Sequence, residues 1–253
     1  MRLEIRFVAE RPLLVPLHYN HLLQGFIYHH LDPQLASWLH HEAYSLEHKH
    51  YKMFVFSRLE GSYNLRKDEA GQKWMHFHNP SLEFRSINPE IVSALAECLL
   101  NSDAISLGKN HCQVVLRNLP DPQPDMQRPL LVRADSPITL HGNPAPDEEH
   151  SVHYFHPFET AWQQGLLENL ANKARALQWQ DAPSLEHSRI RSVQVSHKDK
   201  AIVRYKDFWL RGWRGLYSLQ LPEPYFWLAY HSGLGVRNAQ GFGFIRLLDS
   251  SAT

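Results

Sequence analysis

Two sets of residues in this chain have types and spacings that could do chemistry. Near the C-terminus, Gly233-Leu234-Gly235-Val236-Arg237-Asn238-Ala239-Gln240-Gly241-Phe242-Gly243 sets two Gly-hydrophobic-Gly triplets around a five-residue loop carrying Arg237, Asn238 and Gln240. Glycine takes positive φ and, lacking Cβ, lets backbone approach a bulky partner. Successive N–H groups in such a loop can form a concavity for an anion, so a phosphate chain is the expected partner of Gly233, Gly235, Gly241 and Gly243. In the first half, Leu39-His40-His41-Glu42-Ala43-Tyr44 ends a predicted helical segment just before a strand. A histidine there is held on a rigid element and can face either a cleft or solvent. Imidazole, with an ordinary pKa of about 6.5, gives and takes protons near neutrality. Tyr28, at the end of the preceding predicted helix, and Lys49 or Lys52, just beyond, complete a candidate set with His40 or His41.

The glycine loop is neither of the two common phosphate motifs. It lacks the Gly-Lys-Ser/Thr ending of a P-loop. It also lies between a helix and a strand, whereas the dinucleotide fingerprint follows a strand and opens a helix. A plain helix-to-strand connection would use one glycine as a C-cap; two triplets around polar residues exceed that need.

Of 18 histidines, ten fall between His18 and His78. Neighbouring histidines on a helix point about 100° apart and do not chelate one ion, and no His-Glu-x-x-His motif is present. Neither a metal nor a cofactor is expected.

Lys and Arg number 26 against 26 Asp and Glu, so the chain is neutral overall. The distribution is uneven. Between Arg189 and Arg214 lie Arg189, Arg191, Lys198, Lys200, Arg204, Lys206, Arg211 and Arg214 against Asp199 and Asp207 alone. Such a stretch can turn a phosphate backbone toward one face; it could equally be a solvated hairpin. In Lys200-Ala201-Ile202-Val203-Arg204-Tyr205-Lys206, strand alternation puts Lys200, Arg204 and Lys206 with Ile202 on one face and Ala201, Val203 and Tyr205 on the other. Phe208, Trp209, Trp213 and Tyr217 follow, as base-stacking candidates or core. Cys98 and Cys112 supply no disulfide framework or zinc set. The N-terminus alternates like a strand and has no signal-peptide core, no apolar run approaches the ~20 residues of a membrane span, and the cytoplasm is the expected compartment.

The elements that must position these residues are legible from periodicity. Four prolines in 119–129 mark a linker, giving domains at 1–118 and 130–253, and Asn143–Glu149 reads as a loop within the second. The first half reads as strand 2–8, helical segments 19–31 and 33–43, strands 51–58 and 73–86, helix 88–101 and strand 105–117. Pro80 marks a bulge or edge in the 73–86 strand. The second half reads as strand 129–141, helix 157–177, strands 188–197 and 200–211, a strand to 221, helix 222–232 and a strand after the loop. Counting the two early helical segments as one unit, the first half is βαββαβ and the second is similar, so the predicted fold is α+β with tandem ferredoxin-like domains. Sheets of this kind with basic and aromatic residues on one face are a common RNA platform. RNA carries its own nucleophile, the 2′-hydroxyl. Cleavage needs that proton removed, the leaving 5′-oxygen protonated and an anionic phosphorus stabilised, which histidine, tyrosine and lysine can do without metal.

The glycine loop, the tandem order and the Leu-His-x-Glu-x-Tyr segment together resemble the CRISPR-associated repeat-processing endoribonucleases of the Cas6 family. Further resemblance lies in Asn20–Tyr28, Lys52–Ser57, Asp135–Ile138 and Glu168–Lys173. It implies metal-independent cleavage of CRISPR precursor RNA within repeats, leaving a 5′-hydroxyl and a 2′,3′-cyclic phosphate. By motif, His40 takes the place of the family histidine and Tyr28 that of its tyrosine. Ala43 stands where glycine is usual, and the family lysine has no clean match, leaving Lys49 and Lys52. The implied partners are repeat RNA, a CRISPR effector complex and a second copy of the chain. A repeat-RNA binding protein without turnover is the alternative, and a metal-dependent nuclease built on the clustered histidines is a third class.

Overall fold

The structure, a computed structural model, describes residues 1–142 and 152–248. The Asn143–Glu149 segment read as a loop lies outside them.

The strand Arg2–Val8 points Leu3, Ile5 and Phe7 into the core. It pairs antiparallel with Ser81–Ser86 on one side and Asn110–Leu119 on the other. Phe54–Phe56 flanks Ser81–Ser86, and Ile105–Leu107 extends the far edge. Leaving out that extension, the sheet runs second, third, first, fourth in chain order, the arrangement a βαββαβ unit reaches with all neighbours antiparallel. Helices α1 (Asn20–His29), α2 (Pro33–His41) and α3 (Pro89–Leu100) share its core. Asp32 caps α2, accepting from the N–H groups of Gln34 and Leu35, and Pro33 opens its first turn. Asn88 and Pro89 do the same for α3, which buries Ile91, Leu95 and Leu99.

The second domain repeats the plan. Leu130–Ile138, α4 (Thr160–Ala176), Arg189–Gln194, Phe208–Gln220, α5 (Glu223–Ser232) and Ile245–Leu247 give the same strand order. Lys200–Tyr205 pairs with the start of the long strand, from Tyr205 against Phe208 to Lys200 against Trp213, and forms a hairpin beside the main path of the sheet. Residues 120–129 lie in neither helix nor strand.

Several expected elements differ. The 73–86 strand is two strands in two sheets: Lys73–Phe77 joins Leu13–Pro16 and Tyr63–Lys67, which periodicity did not pick out, and Ser81–Ser86 joins the main sheet. Asn79 turns at φ 43° and Pro80 cannot donate to a ladder, so pairing breaks there. The 51–58 strand is likewise interrupted, with Met53 at φ 54° between Lys49–Tyr51 and Phe54–Phe56. Residues 200–221 form one hairpin whose second arm runs unbroken from Phe208 to Gln220.

The domains are joined by polar groups as well as by packing. Asn20 donates to the carbonyls of Gln240 and Gly241, and Gln24 to that of Ala239. The Arg85 guanidinium, wholly buried, lies 3.9 Å from the centres of both the Tyr230 and Phe244 rings, pairs with Glu83 and donates to the carbonyls of Tyr230 and Ile245. Arg246 crosses the same junction to Glu83 and Glu60. None of the described helices is long and apolar enough to cross a membrane.

Candidate nucleic-acid interface

A cleft of about 1050 Å³ opens where the two domains meet. One wall carries Lys49 and Lys52, the other Arg237 and Gln240, with Gln24 and His141 also facing the space. Lys49, Lys52 and Arg237 confront a single acid, Glu168, among the lining residues. Burial, with Arg237 and Lys49 nearby, lowers His141 and disfavours its charged form.

Four of the five candidate catalytic residues converge at the edge of this cleft. Lys52 donates from Nζ to the carbonyl of His40 at 2.8 Å. The His40 ring, exposed, sits edge-on to Tyr28 at 6.3 Å and to His41 at 4.5 Å between centroids. Tyr28 packs against Phe54, a lining residue, at 6.1 Å. Burial and the neighbouring Tyr205 push the Tyr28 phenol up to about 12, so it stays protonated and available as a donor. Burial lowers Lys52 from its ordinary value. Tyr28, His40 and His41 stand beside the lining rather than in it. Lys49 stands apart on the hairpin opposite Leu46, where it lines the cleft. Among the described residues, no three His, Cys, Asp or Glu side chains gather where a metal ion could sit.

The glycine loop has two sides. Gly235, Arg237, Asn238 and Gln240 line the cleft, and Arg237 holds φ 61° in the left-handed region. Gly233, Gly241 and Gly243 do not line it. Their backbones approach the chain itself: a Cβ at Gly233 would come 2.5 Å from the Asn238 amide, and one at Gly241 2.7 Å from both Asn20 and Phe56. The same holds at Gly235, where a Cβ would come 2.5 Å from the Thr139 carbonyl, so all four glycines serve close packing within the chain. Gly233 is the C-cap of α5, and Gly241 lets the loop dock on the first domain.

The loop is pinned from below by Lys173. Its buried Nζ donates to the carbonyls of Ser232 and Gly233 and to Asn238 Oδ1 at 2.8 Å, and burial pushes it down to about 7. Asn238 in turn donates to the carbonyls of Leu234 and Phe242. Sequence reasoning did not single out Gln24, His141 or Lys173 for a role. Gln24 and Lys173 fall within segments that carried the family resemblance; His141 has no local signal.

The basic window is not one patch. Arg189 and Arg191 lie on the strand opposite Gln220 and Ser218 and line no part of the cleft. Lys200, Arg204 and Lys206 share the exposed face of the hairpin with Ile202, while Val203 and Tyr205 are buried. Phe208 and Trp209 are 69% and 57% exposed, whereas Trp213 and Tyr217 belong to the core. Tyr205 reaches back to donate to Gln24 Oε1, tying the hairpin to the cleft.

Fold and cleft together define a tandem ferredoxin-like protein with a basic interdomain groove. The chain matches the family model described as CRISPR associated protein Cas6, C-terminal, over residues 120–247, and that described as CRISPR-associated protein Cas6, N-terminal, over 14–116. It belongs to the Cas6 family. Among solved structures, a Cas6-related protein from Pyrococcus furiosus is 17% identical, with 99% of each chain covered and a TM-score of 0.80. A RAMP protein described as binding different RNA substrates is 16% identical, covering 98% of this chain and 100% of its own, with a TM-score of 0.78. A Cas6 product complex is 15% identical, with 98% of each chain covered and a TM-score of 0.67. At these identities the likeness is one of fold. No curated protein matches the chain in sequence.

Proposed function

We propose that this chain is an endoribonuclease that cuts CRISPR precursor RNA within its repeats, without a metal ion, by attack of a ribose 2′-hydroxyl on the adjacent phosphorus. Family membership supports repeat-RNA processing, and the product complex solved for a structural neighbour accords with an enzyme. The observation that carries the reading is the grouping of Tyr28, His40 and Lys52 at the edge of a cation-lined cleft rimmed by the glycine loop.

The strand lies in the cleft with its phosphates toward Arg237, Gln240 and Lys49. His40 carries a proton at one of the two reacting oxygens, taking it from the 2′-hydroxyl or giving it to the leaving 5′-oxygen, and the proton at the other oxygen exchanges with water. The protonated Tyr28 hydroxyl donates to the reacting phosphate, and the Lys52 ammonium offsets charge gathering on the phosphorane. The P–O2′ bond forms as P–O5′ breaks, leaving a 2′,3′-cyclic phosphate on one fragment and a 5′-hydroxyl on the other.

Single-turnover cleavage of a repeat RNA in EDTA tests this with His40→Ala and His41→Ala. The expected result is full activity of the wild type in EDTA and a loss of at least about tenfold, ~1.4 kcal/mol of barrier, for His40→Ala. Unchanged rates in both variants would remove the mechanism. A wild type that binds repeat RNA without cutting it would make the chain a binding protein. Activity lost in EDTA and restored by zinc or manganese would make it a metal-dependent nuclease.

A further inference from the structure

A second, smaller pocket of about 360 Å³ opens between the domains and shares no residue with the cleft. Leu17, His18 and Arg58 line it from the first domain, and Lys198, Lys200 and Arg214 from the second. The one acid at its wall, Asp199, already accepts from the N–H and hydroxyl of Ser196 at 2.7 and 2.9 Å. Among the described residues no ion pair involves Arg58, Lys198, Lys200 or Arg214.

Arg214 stands out within this group. Its Nε is buried and has no hydrogen-bond partner. Burial and the neighbouring Arg58 both act against its charge. A buried Nε without a partner, on a guanidinium crowded by another, costs the folded chain stability, and an anion entering from the pocket would satisfy the donor and relieve the repulsion together. Arg58 is steadied over the Tyr19 ring at 5.5 Å, so its charge is directed rather than free to drift.

An exposed basic stripe leads from the pocket toward the cleft. His18 feels both Arg58 and Arg204, which with burial lower it, and its ring meets the exposed Trp209 edge-on at 5.7 Å. From Lys200 the exposed stripe passes Arg204 to Lys206, alongside Tyr205, whose hydroxyl contacts Gln24 on the cleft wall. That is about 17 Å of strand.

We propose that this pocket holds one backbone phosphate of the RNA strand outside the cleavage cleft, with Arg58 and Arg214 as its main contacts. This rests on the reading of the chain as an RNA-processing protein. A free inorganic phosphate has the same chemistry, and the experiment separates the two.

Affinity for repeat RNA is measured against salt for wild type, Arg58→Gln, Arg214→Met and the double variant, with melting temperatures and single-turnover rates at saturating RNA. The double variant should bind about tenfold or more weakly, with a salt slope shallower by about one to two, and should cut saturating RNA within about twofold of wild type. Arg214→Met should melt no lower than wild type, because it removes a partly buried charge whose Nε has no partner. An unchanged salt slope in the double variant overturns the proposal. So does weaker binding accompanied by lower melting in both single variants, which would make the arginines structural. Protection of the wild type by millimolar inorganic phosphate, lost in the double variant while RNA binding is untouched, would assign the pocket to a free anion and also overturn it. A wild type that neither binds nor cuts repeat RNA would instead sink the parent reading.

Discussion

Lys52 donates to the main-chain carbonyl of His40 at 2.8 Å, linking a residue on the cleft wall to the last turn of α2. Carbonyls at the end of a helix have no partner within it, and an ammonium there also answers the negative end of the helix dipole. One side chain thus ties down the main chain at His40 and brings positive charge beside it.

Lys52→Ala is therefore expected to slow single-turnover cleavage at saturating RNA by about 10- to 100-fold, ~1.4–2.7 kcal/mol of barrier, with little change in melting. Lys52→Arg should recover part of the rate. Rapid cleavage by Lys52→Ala would show that the bond to His40 does not matter for turnover.

Gly241 adopts φ 82°, and a Cβ there would meet Asn20 and Phe56 of the other domain at 2.7 Å. Gly241→Ala is expected to destabilise the fold by about 1–3 kcal/mol from backbone strain alone, with further loss from the displaced Asn20 bonds. Gly25 is an instructive control: nothing lies within 4 Å of its missing Cβ on α1. Gly25→Ala should be neutral or stabilising by up to about 1 kcal/mol. Denaturant unfolding of the two variants measures both.

Glu83 gives the domain junction its acid sensitivity. Burial alone would raise its carboxyl, but Arg85 and Arg2 hold it down to about 2. The unfolded chain therefore binds more protons between the ordinary carboxylate range and pH 2, and this stabilisation is present above about 4.5 and lost as pH falls through 2. Unfolding free energy should decline over that interval. Glu83→Gln should flatten the decline and cost about 3–5 kcal/mol at neutral pH, because Arg85 is left buried without its partner. An acid limb of unchanged steepness in the variant would show that another group sets it.

Much of the fold was legible. The periodicities of Arg2–Val8 and of α3, the proline-opened α2 and the βαββαβ order in each half are local signals, and local chemistry dictates them. The split of 73–86 between two sheets was not legible, because apolar residues are interleaved with polar ones on both sides of Pro80 and only tertiary pairing decides which ladder each half joins. The candidate site divides in the same way. Residue type and spacing pointed to His40, Tyr28 and the glycine loop. Nothing along the chain announced what the loop's four glycines pack against, or that Lys173 would hold the loop from below.

What the sequence determined by itself were the elements and the identities of the groups that could move protons or meet phosphate, because hydrophobic period, capping and turn chemistry act over a few residues. What only the tertiary structure decided was which of those groups share a space. The cleft joins Lys52 to Arg237, and the second pocket joins Arg58 to Arg214, across more than a hundred residues. Those encounters depend on how two independent sheets dock through Asn20, Arg85 and Arg246, and no local pattern encodes that long-range packing.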